Sequence, residues 1–357
     1  MTRPVPLPAI ASLPRYVPGA RGAQAGPPPI KVSSNETPLP PLPSVVEALR
    51  SAAGTVNRYP DMGVSELTQR LAAAVGVGED RVVVGGGSVA VLGHILQAYA
   101  GPGHEVVFPW RSFEGYPILV PSVGATAVPV PLDEDSRHQL DAMVDAITER
   151  TRVVVVCSPN NPTGPAVHTE EFVRFMERVP THVLVVLDEA YLEFVTDPLA
   201  VRGAQEWGRW DNLVVVRTFS KAYGLAGLRV GYAVGPADLM APVRACVTPF
   251  SVSTMAQVGA LASLDAEPEL LARCDQIVRE RGRVLARVRE QGWEVPDAQG
   301  NFFWLPLAER TAQFTQFCAA QDPAILVRPF AAEGVRISIG SVAENDAVLK
   351  ALATFGP

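Results

Sequence analysis

Lysine is almost absent from this chain: of 30 basic residues only Lys31, Lys221 and Lys350 are lysine, and the rest are arginine. Arginine stays protonated in a protein, so any chemistry that needs a neutral amine falls to one of these three. Cysteine is nearly as scarce. Cys157, Cys246, Cys274 and Cys318 form no CxxC pair, which excludes a disulfide framework and a thiolate zinc site and leaves them as small buried hydrophobes. The five histidines contain no HExxH and no pair at helical spacing, so no metal is expected. There is no basic run, and the net charge is −7, which gives a nucleic-acid backbone nothing to bind. No apolar stretch approaches the roughly 18 residues that cross a bilayer, and the N-terminus lacks a charged-then-apolar leader pattern. No membrane partner is expected, and a cytoplasmic location is.

What remains is an ordinary globular composition, 48% hydrophobic over 357 residues, enough for one large domain and a smaller one. Residues 1–43 are rich in proline and glycine and read as an extended arm. Such an arm is either a plain tail or a functional segment; Tyr16 and the mixed run IKVSSNET (30–37), which contains Asn35, favour the second. From 44 to 240 short apolar runs alternate with helical patterns, and Ser65 stands where it could cap the helix that follows Tyr59-Pro60-Asp61. From 241 to 357 long helical runs precede short strands, as in an α+β module.

The runs 105–109, 125–130, 151–157, 182–187, 213–216 and 228–234 are mostly continuous Val and Leu rather than alternating. Continuous apolar strands separated by helices predict an α/β fold, a mostly parallel sheet covered on both faces, with ligands at the carboxyl ends of its strands. Asn161, Asp188, Ser220 and Lys221 each follow such a strand. An aspartate closing an all-apolar strand is costly unless it is paired, so Asp188 calls for a buried cation.

The stretch RVVVGGGSVAVLGHILQAYA reads as strand, glycine turn, helix, and puts Gly87, Ser88 and Val89 at a helix N-terminus where free N–H groups and the helix dipole favour a phosphate. Without GxGxxG spacing a dinucleotide is the poorer guest, and a plain packing turn stays open. In the second module Arg328 and Arg336 sit beside short strands, as edge residues or as a clamp for an anionic substrate. A lone amine, a buried acid, an asparagine, a phosphate cradle, and Ser220 and Arg229 flanking the lysine form the set that pyridoxal 5′-phosphate requires.

RYVPG, KVSSNET, YPD, GGGS, SPNNPTG, LDEAYLEF, RTFSKAYGLAGLRVGY, NFFWLPL and GVRISIG together resemble the fold-type I aminotransferases, and within them the histidinol-phosphate aminotransferase group. That resemblance spans nearly the whole chain. It implies a large domain with a seven-stranded, mostly parallel sheet and a smaller α+β domain. It implies that Lys221 binds the cofactor covalently and then moves the substrate proton, and that Asp188 pairs with the pyridine nitrogen. Tyr191 and Asn161 are implied as donors to the ring oxygen, with Gly87, Ser88, Val89, Ser220 and Arg229 at the phosphate and Phe113 over the ring. Tyr59 is implied to serve the phosphate of a neighbouring subunit, hence a homodimer with shared active sites.

For the substrate the resemblance implies Arg336 at the carboxylate or equivalent anion, Arg328 near the distal group, Tyr116 close by, and Asn35 and Tyr16 closing over the site. Its partners are then an amino donor and a 2-oxo acid acceptor. Two departures touch this reading. Val89 and Ala90 replace the acidic pair that many relatives carry after Gly-Ser, and Trp110-Arg111 replaces the commoner Glu-Pro. The first leaves backbone donors to hold the phosphate. The second widens the expected substrate range, so histidinol-phosphate transamination leads and an aromatic amino-acid aminotransferase is the alternative. A non-catalytic cofactor-binding regulator and other carbon-bond chemistry on the same cofactor, such as decarboxylation, are the remaining readings.

Overall fold

The computed structural model describes residues 3–11, 13 and 28–357. Its first strand, β1 (Ile30–Lys31), belongs to the arm. Seven strands then build the main sheet: β2 (Val82–Gly85), β3 (Glu105–Trp110), β4 (Thr126–Pro131), β5 (Thr151–Cys157), β6 (Leu184–Asp188), β7 (Leu213–Thr218) and β8 (Gly231–Val234). Their order is β2-β8-β7-β6-β5-β3-β4, parallel throughout except for β8, which runs against both of its neighbours. The continuous valine runs are explained by burial on both faces: alternate residues of β5 and β6 enter two separate apolar clusters on opposite sides of the sheet. Each such valine contributes about 1.5–3 kcal/mol over leaving it exposed, which offsets the entropy of ordering the strand.

Four more strands follow: β9 (Phe302–Leu305), β10 (Ile325–Leu326), β11 (Arg328–Phe330) and β12 (Gly334–Ser338). β9, β12 and β11 form an antiparallel sheet of their own, while β10 pairs in parallel with β1 of the arm. The arm is thus stitched to this second region, and Ser338 N donates to the Val32 carbonyl at 2.9 Å. The long helix Glu267–Glu290 covers the small sheet with a buried stripe of Cys274, Ile277, Val284, Leu285 and Val288, at helical spacing. Glutamates in its first turn and arginines in its last complement the helix dipole.

Packing changes character later than residue 240. The helix Thr254–Asp265 contributes Ala256 and Ala260 to the cluster shared with Val45, Leu67 and strands β2 and β8, so it lies with the main sheet. Ser65 does not cap the helix Ser65–Val75; it is the first helical residue, and the Asp61 carboxylate accepts from Gly63 N at 3.0 Å and Ser65 N at 2.6 Å instead. A carboxylate reaches further than a serine hydroxyl and adds charge at the positive end of the dipole. Among the described residues no helix is long and apolar enough to cross a membrane, and no group of histidine, cysteine, aspartate and glutamate could hold a metal ion.

Candidate active site

β5, β6 and β7 lie side by side and in parallel, so Cys157, Asp188 and Thr218 end together at one edge of the sheet. A cavity opens there, between the main sheet and the β11–β12 hairpin. Of the residues singled out from sequence, Ser88, Val89, Phe113, Asn161, Asp188, Tyr191, Ser220, Lys221, Arg229, Arg328 and Arg336 line it.

Local structure explains why Lys221 points in. Phe219 is fully buried against Tyr223 and Tyr232, its N–H bonds to the Val230 carbonyl, and its carbonyl accepts from Leu225 N. A tight turn, closed by Gly224 N on the Lys221 carbonyl and using a positive φ at Gly224, then reverses the chain and leaves Ser220 and Lys221 at the cavity wall. The Lys221 ammonium donates to the Ser34 carbonyl of the arm at 3.2 Å. Burial, with help from the Arg336 and Arg229 guanidiniums, pulls its pKa down to about 7, so a neutral amine is accessible near physiological pH.

Asp188 meets no protein cation among the described residues. Its Oδ2 accepts from the Tyr116 hydroxyl at 2.9 Å, while Oδ1 is buried without a partner on the cavity side of the strand end. Burial raises its pKa to about 6 against the opposing effect of the Tyr116 bond. The adjacent Glu189 does find a cation: Arg217 donates to one of its oxygens and Gly203 N donates to the other, which locks the ends of β6 and β7 together. The cation that Asp188 lacks must therefore come from a ligand.

The opposite wall is a cradle. The helix Ser88–Tyr99 begins with no side-chain cap, leaving its first N–H groups open. Gly87 precedes it at φ +94°, and a Cβ there would lie 2.4 Å from Arg229 Nη2, so only glycine lets the guanidinium approach. Arg229 Nη1 in turn donates to Ser220 Oγ at 3.0 Å. Uncapped N–H groups, a hydroxyl and a guanidinium around one hollow are an anion site.

Two expected residues stand back from the cavity, Tyr116 and Asn35. Tyr116 does not border the cavity; it is buried behind Asp188, edge-on to Phe113, with its hydroxyl spent on the carboxylate. Asn35 also stands back, at φ +52°, donating through Nδ2 to the Tyr191 hydroxyl at 3.0 Å and accepting from Ser338 Oγ, while its neighbours Ser33 and Ser34 take the cavity wall. Tyr59 is 82% exposed, stacked on Phe250 and away from this cavity. Tyr16 lies outside the described residues. Thr218, Cys157, Ser33 and Ser34 line the cavity without having been singled out. Thr218 and Cys157 were findable as the closing residues of strands; the serines depend on where the arm docks.

Arg336 and Arg328 share one wall rather than standing apart. They are directly paired across the β11–β12 ladder, so both side chains leave the same face about 4.5–5.5 Å apart at Cα. Arg336 donates to Asn161 Oδ1 at 2.6 Å and to the Ser33 carbonyl at 2.7 Å. Arg328 donates through Nε and Nη2 to one oxygen of Glu114.

The sequence matches the family model for aminotransferase class I and II over residues 27–352. The chain belongs to that family. It is 51% identical over 346 residues to an aromatic amino acid aminotransferase of Streptomyces avermitilis, covering 97% of this chain and 96% of the relative. It is 49% identical to one of Thermobifida fusca over 347 residues, with 97% and 96% covered. In structure it is similar to a histidinol-phosphate aminotransferase from Sinorhizobium meliloti in complex with pyridoxal-5′-phosphate, at a TM-score of 0.89 and 28% identity, with 97% of this chain and 96% of that one covered.

The cofactor of this aminotransferase is pyridoxal 5′-phosphate. The residues present fit it at both ends. The unpartnered Asp188 Oδ1 wants a cation such as a protonated pyridine, and the hollow between Gly87, Ser220 and Arg229 wants a phosphate. When bound, the cofactor supplies an electron sink that stabilises negative charge on the carbon bearing the substrate amine.

Proposed function

We propose that this enzyme transfers the amino group of an aromatic amino acid, phenylalanine or tyrosine, to a 2-oxo acid such as 2-oxoglutarate. Lys221 is the covalent anchor of the cofactor and the base that moves the proton, a role its depressed pKa of about 7 suits. Asp188 holds the pyridine nitrogen, and Tyr191 and the amide nitrogen of Asn161 face the ring oxygen. The helix start at Gly87, Ser88 and Val89, with Ser220 and Arg229, holds the phosphate, and Phe113 packs on the ring. Arg336 takes the substrate carboxylate.

The observation that carries the choice of donor is the state of Arg328. Histidinol phosphate carries a phosphate ester where an amino acid carries its carboxylate, and that group bears about −1.5 to −2 charges near neutral pH. Arg336 and Arg328 together match such a charge. With Glu114 on Arg328, the charge of one of the two guanidiniums is offset, which suits a carboxylate better than a phosphate ester. The names borne by the relatives near 50% identity point the same way, and the histidinol-phosphate reading, placed first on sequence, rests on more distant structural likeness.

Dimerisation is part of the proposal: Tyr59 and Phe250 form an exposed aromatic pair that a second copy would cover, bringing Tyr59 to its partner's phosphate site. A cytoplasmic location is part of the proposal as well, in keeping with the acidic composition. The test is turnover of phenylalanine, tyrosine and histidinol phosphate with 2-oxoglutarate as acceptor. We expect the aromatic donors to show the higher kcat/KM; a clear preference for histidinol phosphate sinks the reading.

A further inference from the structure

The loop after β3 and the β11–β12 hairpin are joined by two ion pairs of opposite polarity. Arg111 of the loop donates to Glu333 of the hairpin, and Arg328 of the hairpin donates to Glu114 of the loop. As clasps they are redundant. Only one of the four residues, Arg328, lines the cavity, and only at that position does the pairing change what a substrate meets.

The two cavity arginines differ in the kind of partner that holds them. Two bonds from Arg336 go to an amide oxygen and a main-chain carbonyl, which orient a guanidinium without cancelling its charge. The Glu114 bonds on Arg328 go to a carboxylate, and Arg328 is itself buried, so that charge is offset in a poorly solvated place where the offset matters most. Glu114 immediately follows Phe113, the aromatic residue at the cavity wall, so the two side chains reach the site from one short segment.

We propose that Glu114 is a specificity-determining counter-ion: by neutralising Arg328 beside Arg336, it sets the anion-binding wall for a carboxylate and against a phosphate ester. This rests on the aromatic reading above and names the residue that enforces it. Glu114 acts through Arg328, not on the substrate, and discriminates by leaving a dianion with one guanidinium too few.

The test compares the full-length, cofactor-loaded wild-type enzyme with Glu114→Gln, Glu114→Gln/Arg328→Gln and Glu333→Gln, measuring kcat/KM for histidinol phosphate and for phenylalanine. In Glu114→Gln the histidinol phosphate to phenylalanine ratio should rise about tenfold or more, chiefly through KM, the scale of one hydrogen bond to a charged group. The added Arg328→Gln should abolish the rise, and Glu333→Gln, which breaks the other clasp, should move both donors by one factor. A second measurement uses inorganic phosphate as a competitive inhibitor against phenylalanine, whose inhibition constant should fall about tenfold in Glu114→Gln on the same reasoning. A ratio and an inhibition constant within twofold of wild type, or a uniform loss on both donors, overturns the assignment of Glu114. If wild-type enzyme itself prefers histidinol phosphate, the aromatic reading falls and the counter-ion role with it, so the unmutated enzyme separates the two failures.

Discussion

The two walls of the cavity are assembled in different ways. At the cofactor wall, contacts join the ends of elements of the main sheet: Arg229 and Ser220 are 9 positions apart, and Arg229 also lies against Gly87 at a helix start. At the donor wall, Arg328 meets Glu114 across 214 positions and Arg336 meets Ser33 across 303. The cofactor wall is therefore fixed by strand ends and turns of one sheet, whereas the donor wall exists only once the arm, the loop after β3 and the hairpin have docked. A change at the first should affect every donor alike. A change at the second should reorder donors.

The largest expected effect is at Lys221. Lys221→Ala should lower kcat by at least about a thousandfold for every donor tested, within the range for losing a positioned proton-transfer group, and should remove the visible absorption of the lysine-bound cofactor. A variant that kept either the band or the activity would move the chemistry to another amine, and only Lys31 and Lys350 remain.

Next comes the cradle. Gly87→Ala combines a strained positive φ with a Cβ driven against Arg229, so cofactor affinity should drop about tenfold or more, measured by titrating apoprotein with the cofactor. The relative rates on phenylalanine and tyrosine, once the enzyme is saturated with cofactor, should not change. A changed donor ranking would mean that the two walls are not separable.

The smallest effect is also the most diagnostic. Asp188 titrates near 6, so it is ionised above that pH and loses its charge as the pH falls through it; cofactor affinity should weaken on that acidic side. The Tyr116 hydroxyl stabilises the ionised form, so Tyr116→Phe should raise this pKa and move the acidic limb to higher pH, with a several-fold loss of affinity near pH 6, the worth of one hydrogen bond to a carboxylate. A limb that stays put would leave Tyr116 with a packing role only.

This contrast also explains what could be read in advance. The strands were legible because residues buried on both faces must be apolar in succession, and Asp188, Ser220 and Lys221 were legible as polar residues breaking those runs. Lys221 stood out because the chain has three lysines and this one alone follows one of those runs. The family resemblance puts Tyr116 and Asn35 near the substrate, but a tyrosine or asparagine in a motif carries no sign of which way it faces. The fold turned one toward Asp188 and the other toward Tyr191.

By itself the sequence determined a doubly covered, mostly parallel sheet, the strand ends where chemistry collects, and a lysine, an acid and a phosphate cradle in reach of one another. Those follow from burial, from chain reversal at turns and from the chemistry of single residues, because strands of one sheet bring their ends to a common edge. Only the tertiary structure decided that Arg328 stands beside Arg336 and that Glu114 offsets its charge. Such a pairing depends on long-range docking and strand register, and electrostatic balance depends on distance in space, which neighbouring letters do not record.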